Sequence, residues 1–287
     1  MAKGRELKGR IKSVENTRKI TRTMEMVATS KMKRATDRMH AARPYADALR
    51  SAIGDLYSAE LADRFPLLRQ PKAERRAAVI LLTSNRGLAG AFNANLIKEA
   101  RALITRLEAA GTQVEVHAVG RKGIGYFRYI GRAMQAQRTD ITDRPLASDA
   151  ASIVNDLMAQ FVAGEIDAVY VVRSKFLSAL SMPPVADRIL PVEPPPAGKA
   201  QRDWLLYPSA AEILTELLPA YVRNAVYRAL VETAAAEQAA RRTAMKSATD
   251  NASEMLTLLK RTYNRARQAQ ITQEIAEIVG GAAALQG

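Results

Sequence analysis

From Leu7 onward the chain reads in alternating steps of four and three residues: Leu7, Ile11, Val14, Arg18, Thr21, Glu25, Ala28, Met32, Ala35, Met39, Ala42, Ala46, Leu49, Ile53 and Leu56. Most of these positions are apolar, no glycine falls between Arg10 and Ile53, and Pro44 is the only proline in the stretch. This period is the seam of a long coiled-coil helix. At 1.5 Å per residue, roughly 55 residues make a rod of about 80 Å, with Pro44 as the point where it would kink or break. A second zone opens at Ser209, an N-cap with Glu212 placed three residues on, and continues past Pro219 without a glycine as far as Val279. Its second half sets Met245, Ala248, Ala252, Met255, Leu259, Thr262, Ala266, Ala269, Gln273, Ala276 and Ala283 on one stripe. Two long amphipathic helices at opposite ends of one chain pair best with each other, as an antiparallel coiled coil. The alternative is that both wrap around whatever lies between them.

The middle differs in kind. AAVILLTS, Ala77 to Ser84, is a short apolar run ending in the turn NRGLAG, and AFNANLIKEARALITRLEAAG after it has helical period. The alternating strand QVEVHAVG follows, then a helix near ASIVNDLMAQFVAG, then the strand IDAVYVVRS. Strands alternating with helices predict an α/β unit with a largely parallel sheet. The fold class is therefore an α/β central domain, Rossmann-like with a mostly parallel sheet, plus a long antiparallel coiled coil formed by the N- and C-terminal helices. The expected divisions are an N-terminal helix over 1–60, an α/β domain over 75–207 with a proline-rich connection at 191–199, and a C-terminal helix over 208–287. DWLLYP is expected to add a last strand.

Charge narrows the partners. Lysine and arginine number 43 against 29 acids, a formal net charge of +14, so the surface attracts something acidic. Much of the surplus lies in the first fifty residues, where Lys31, Lys33, Arg34 and their neighbours face only five acids. The absence of cysteine excludes a disulfide framework, a thiolate nucleophile and a zinc–cysteine site. His40 and His117 are the only histidines and lack metal-binding or triad spacing; they read as a solvated helix residue and a strand-end residue. No apolar run is long enough to span a bilayer, and MAKGRELKGRIK lacks the apolar core of a secretory signal.

Candidate chemistry is sparse. SNRGLAGAF follows a strand and opens a helix, where phosphate sites are built, but Gly87 and Gly90 match neither nucleotide-binding spacing. Gly120, Gly123 and Gly125 in GRKGIGYF are likewise mis-spaced, and both loops read as structural turns. Asp140, Asp143, Asp149 and Asp156 read as caps and turns rather than magnesium ligands. The basic first helix suits DNA phosphates or an acidic protein. An apolar stripe runs through the charge and no aromatic falls in the first forty residues for base stacking, so a protein partner explains both features together. Met24, Met26 and Met32 offer a polarisable, adaptable surface to such a partner, although Met32 and Met39 also fit a coiled-coil core.

The segments NTRKITRTMEMVATSKMKRA, RPYADALR, TSNRGLAGAFN and RTYNRARQAQITQEIAEIVGGAAAL resemble the gamma subunit of the F-type ATP synthase. The loop departs from the family's usual residues at Asn85 and Ala89, and no cysteine-bearing insertion of the chloroplast type is present. The resemblance implies a rotor shaft that transmits torque between proton flow and ATP synthesis and has no catalytic site of its own. The implied partners are a hexameric ring of alpha and beta subunits, the epsilon subunit and the membrane c-ring, with no nucleic acid and with an inhibitory subunit left open. No cofactor or metal is expected on this chain; ATP, ADP and magnesium would sit on partner subunits. By position, Met24, Lys31, Lys33, Arg267, Gln268, Thr272 and Glu274 would contact beta subunits. Ile275, Ile278, Val279 and Leu285 would form the shaft tip in an apolar collar. The implied location is peripheral, on the cytoplasmic face of a bacterial inner membrane.

Overall fold

The computed structural model describes residues 2–56, 64–193 and 209–286, with side chains described over 5–56, 64–193 and 209–282. Its elements are α1 (Ala2–Leu56), a 3₁₀ turn (Pro66–Leu68), β1 (Arg76–Leu82), α2 (Phe92–Ala109), β2 (Gln113–Val119), α3 (Arg121–Tyr129), β3 (Ala136–Arg138), α4 (Ala147–Ala163), β4 (Ala168–Ser174), β5 (Pro184–Leu190) and α5 (Ala210–Gln286). By packing the chain divides into two units: Ala28–Arg241, and the residues up to Val27 together with those from Arg242 onward.

The larger unit is built on one sheet of order β3-β2-β1-β4-β5. All neighbours are parallel except β4 and β5. Ala78, Ile80 and Leu82 of β1 pack against α4, α5 and the Ile53–Leu56 end of α1, while Ala77, Val79 and Leu81 pack against α2 and Phe127 of α3. A strand covered on both faces must be apolar at every position, which is why β1 reads as an unbroken run.

Two strands escape the periodicity argument. β3 is only three residues long, and six of the seven β5 positions are half-buried, so β5 shows no alternation. β5 starts on Pro184, at the first position of an edge strand, where a missing N–H costs least. DWLLYP and the proline-rich run beyond Glu193 lie outside the described residues.

Within this unit the long helices are core elements. Leu214, Leu218, Val222, Val226 and Leu230 of α5 join the α4-side cluster, and Ala236 joins the other. The start of α5 is capped as expected: the Glu212 N–H donates to Ser209 Oγ at 3.3 Å. Pro44 and Pro219 both lie inside helices that continue past them. The wrapped arrangement therefore holds for Ile53 and Leu56 of α1 and for Leu214 to Leu230 of α5, and the paired arrangement for the smaller unit.

In that smaller unit α1 and α5 run antiparallel. Thr249 Oγ1 stands 2.8 Å from both Thr21 Oγ1 and the Met245 carbonyl oxygen, and the Thr21 hydroxyl donates to the Arg18 carbonyl at 3.1 Å. Every four-three position of α1, from Leu7 to Leu56, is buried or half-buried in its unit. The stripe on α5 is different. Its inward row is Met245, Thr249, Ala252, Leu256, Leu259, Tyr263, Ala266 and Gln270, while Met255, Thr262 and Ala269 are exposed. Met245, Ala252, Leu259 and Ala266 belong to either row, seven residues apart. The second seam is Thr249, Leu256, Tyr263 and Gln270, whose polar members hide it from a search for apolar spacing.

Candidate functional site

The helix pair exposes more apolar surface than its own fold accounts for. Ile20, Met26 (58% exposed) and Val27 face outward on α1. On α5 every residue from Ile271 to Ala282 is exposed, including Ile275, Ile278 (71%) and Val279. Exposed apolar surface of this kind marks an interaction site. No cation follows Arg267, and Glu274 and Glu277 are the only charges beyond it. Both carboxylates accept a hydrogen bond from a glutamine one turn earlier, Gln270 at 2.8 Å and Gln273 at 2.9 Å. Gly280 and Gly281 are helical, and a Cβ on either would meet nothing among the described residues. Each costs the helix up to about 1 kcal/mol relative to alanine, with no return inside the chain.

The residues expected at beta-subunit contacts fall into distinct settings. Met24 is half-buried; Arg267, Gln268, Thr272 and Glu274 are exposed, with the Thr272 hydroxyl bonded to the Gln268 carbonyl at 3.0 Å. Leu285 lies in the last helical turn, whose side chains are outside the described residues. In the α/β unit Lys33 is exposed, but the Lys31 ammonium is 2.7 Å from Asp143 in the loop after β3. Burial pushes the Asp143 carboxyl up, but the hydrogen bond and charge of Lys31 outweigh it and hold the group below its ordinary value.

Asp143 and Lys31 also act electrostatically on Glu237 of α5. Burial raises the Glu237 carboxyl, and Arg241, 2.6 Å away, pulls it back. The Arg241 guanidinium further donates to the Gly87 carbonyl at 3.2 Å. One cluster thus ties α1, the β3–α4 loop, α5 and the loop after β1. A second anchor was not legible from periodicity: Arg173 of β4 pairs with Asp187 of β5 at 2.5 Å and with Glu232 of α5. The usable signal was a set of polar residues, Glu232, Thr233, Gln238 and Arg241, in an alanine-dense helix; all four are buried.

The loop after β1 is closed by the chain itself. Asn85 donates to the Thr139 and Ile141 carbonyls at 3.0 and 2.8 Å and accepts from the Arg121 N–H at 3.0 Å. The Ser84 N–H donates to Asn93 Oδ1 at 3.0 Å. The Asn85 side chain and the Ser84 and Arg121 N–H groups at this switch point of the sheet are thus engaged within the chain. GRKGIGYF forms helix α3 rather than a turn. Gly120 caps it at φ 97°, where a Cβ would lie 2.1 Å from the Thr83 carbonyl oxygen, and the Gly123 N–H donates to Thr83 Oγ1 at 2.9 Å.

Asp140, Asp143 and Asp149 lie in the loop and capping turn where they were expected, whereas Asp156 is an exposed residue in the middle of α4. Asp140 pairs with Arg138 at 2.6 Å, and Asp149 accepts from the Leu146 N–H at 2.8 Å. No group of metal-ligating side chains occurs among the described residues. His40 is exposed. His117 is in mid-strand rather than at a strand end; its Nε2 is buried without a partner, and burial holds its pKa below the usual value.

A mostly parallel sheet carrying two long terminal helices is the fold of ATP synthase central stalks. A chain of the Euglena gracilis mitochondrial ATP synthase rotor superposes with a TM-score of 0.65 at 19% identity, over 94% of this chain and 99% of that one. A chain from the central stalk and c-ring of the Tetrahymena thermophila mitochondrial ATP synthase gives 0.62 at 24% identity, over 80% and 99%. The family model described as ATP synthase matches residues 3–285. The ATP synthase gamma chain of Gemmatimonas aurantiaca is 69% identical over the full length of both chains, and that of Frankia casuarinae is 44% identical over 98% of this chain and 97% of its own. The chain belongs to the ATP synthase gamma chain family.

Proposed function

We propose that this chain is the central rotor shaft of an ATP synthase, carrying torque between proton flow through a membrane ring of c subunits and the catalytic beta subunits, and that it has no catalytic site of its own. The segment from Ile271 to Ala282 carries this reading: it is helical, exposed on every face, largely apolar and free of cations, with two glycines that nothing in the chain requires. Such a segment suits a close, non-sticking fit inside a partner collar. Ile275, Ile278, Val279 and Leu285 would turn there, with Arg267, Gln268, Thr272 and Glu274 meeting beta subunits lower down. Met24 and Lys33 supply apolar and cationic surface to an acidic beta-subunit loop. The Lys31 charge is already engaged by Asp143, so Lys31 would reach that loop only by exchanging partners.

Alpha and beta subunits, epsilon and the c-ring are the proposed partners, with nucleotide and magnesium held by partner subunits. Among the described residues no helix is long and apolar enough to cross a membrane. Attachment through the c-ring would place the chain peripherally, on the cytoplasmic face of a bacterial inner membrane.

The test is affinity purification of tagged chain from detergent-extracted native membranes, with mass spectrometry and an ATPase assay on the eluate. Two large nucleotide-binding subunits in excess over the chain, with magnesium-dependent ATPase activity, support the reading. Recovery of the chain alone or with DNA overturns it.

A further inference from the structure

Helix α2 buries Phe92, Leu96, Ala100, Leu103 and Leu107 against the sheet. Its opposite face, together with α3, walls a groove of about 800 Å³ that runs along residues 93–109. Sixteen residue steps of helix give this groove a length of about 24 Å. Ile97 and Tyr126 contribute apolar surface, and Lys98, Arg101, Arg106 and Lys122 stand around it. No carboxylate lines the groove among the described residues. None of the four cations forms an ion pair among the described residues, whereas Arg132 and Arg138 on the same side of the sequence are both paired. Four like charges around an apolar floor repel one another in the free chain, and a partner of opposite charge relieves that repulsion.

We propose that this groove is a docking site for an acidic amphipathic helix of a partner subunit. The length distinguishes a helix from a single phosphate or lipid headgroup: about four turns fit along the groove, and one headgroup would engage only a fraction of it. The helix lays an apolar stripe on Ile97 and Tyr126 and brings carboxylates to the cations on either side. The site lies wholly within the α/β unit; its partner subunit rests on the rotor reading, but peptide binding by the chain alone does not, so the two can fail separately.

The full-length chain is titrated, by fluorescence anisotropy, with a labelled four-turn peptide carrying a leucine stripe flanked by glutamates, with a scrambled peptide of the same composition, and with vesicles rich in anionic phospholipid. The proposal expects the amphipathic peptide to bind at least about tenfold more tightly than the scramble. It also expects K98E/R101E/R106E to raise Kd at least about tenfold, and K72E/R75E/R144E, an equal charge change at exposed sites outside the groove, to move it less than about twofold. In purified ATP synthase, a photocrosslinker at Thr105 should capture an acidic helical segment of another subunit. Equal binding of the scramble, equal effects of the two triple variants, or crosslinking to lipid or to nothing would overturn the proposal.

Discussion

The Lys31 ammonium sits 2.7 Å from the Asp143 carboxylate, joining helix α1 to the loop after β3 across 112 residues of sequence. Lys31 is the one residue expected at a partner contact whose charge is spent inside the chain. Both side chains are about a third exposed, so the pair is worth about 0.5–1 kcal/mol. The Asp143 pKa is depressed in the folded state. Its contribution is therefore fully present above the unfolded value of about 4 and is lost as pH falls through the folded value. The stability gap between the native chain and D143N should be flat from neutral pH to about 5 and close below that, as read by urea unfolding. K33A, at an exposed position, should change stability by less than about 0.5 kcal/mol.

Arg241 bridges Glu237, whose side chain is 13% exposed, and the Gly87 carbonyl, and its own side chain is 9% exposed. Removing it leaves a buried carboxylate uncompensated, at a cost of about 3 kcal/mol. R241A should lower Tm by roughly 6–12 °C for an α/β unit of this size. R241A/E237Q should recover part of the loss, because the uncompensated charge is gone. Equal Tm values for the single and double variants would contradict this account of the cluster.

Tyr170 donates to Glu74 at 2.8 Å. Burial and then the Glu74 carboxylate push the Tyr170 hydroxyl up from 10 to about 12. The folded state holds that proton more tightly than the unfolded one, so this contribution is complete below about pH 10 and is lost as pH rises through 12. An ultraviolet titration of the folded chain should show one late tyrosine, and Y170F should remove that late phase.

The tip makes a prediction that separates folding from function. I275D, I278D and V279D alter exposed positions and should leave the isolated chain's stability within about 0.5 kcal/mol. In the assembled enzyme the same changes should reduce coupled ATP synthesis several-fold, because on the proposed reading a carboxylate would enter a partner's apolar collar. G280A and G281A should each strengthen the isolated helix by about 1 kcal/mol. If a partner passes close to that turn, both should slow turnover in the complex; unchanged turnover would remove the glycines from the argument.

Much of the fold was legible because the period itself carries the information. The α1 stripe from Leu7 to Leu56 was right at every position, since long helices repeat one seam many times. β1 and β4 announced themselves through apolar runs, β2 through alternation, and α2 and α4 through amphipathic period. β5 was invisible because a half-buried edge strand beginning at Pro184 has no alternation. The α5 seam was misplaced by one residue at alternate positions because Thr249, Tyr263 and Gln270 are polar yet inward, with the Thr249 hydroxyl satisfied by Thr21 and by the Met245 carbonyl. The Lys31–Asp143 pair was hidden for a different reason: an ion pair between residues 112 apart leaves no local trace, so Lys31 read as free surface charge.

The central claim is that this chain turns inside its complex. The chain has no cysteine, so a single cysteine at Tyr129, 88% exposed on the α/β unit, gives one attachment point for a bead on enzyme immobilised through its beta subunits. Steady rotation in one direction, dependent on magnesium ATP and stopped by a crosslink between the chain and a beta subunit, is the predicted result. Hydrolysis that continues at full rate after such a crosslink, with the bead motionless, would contradict it.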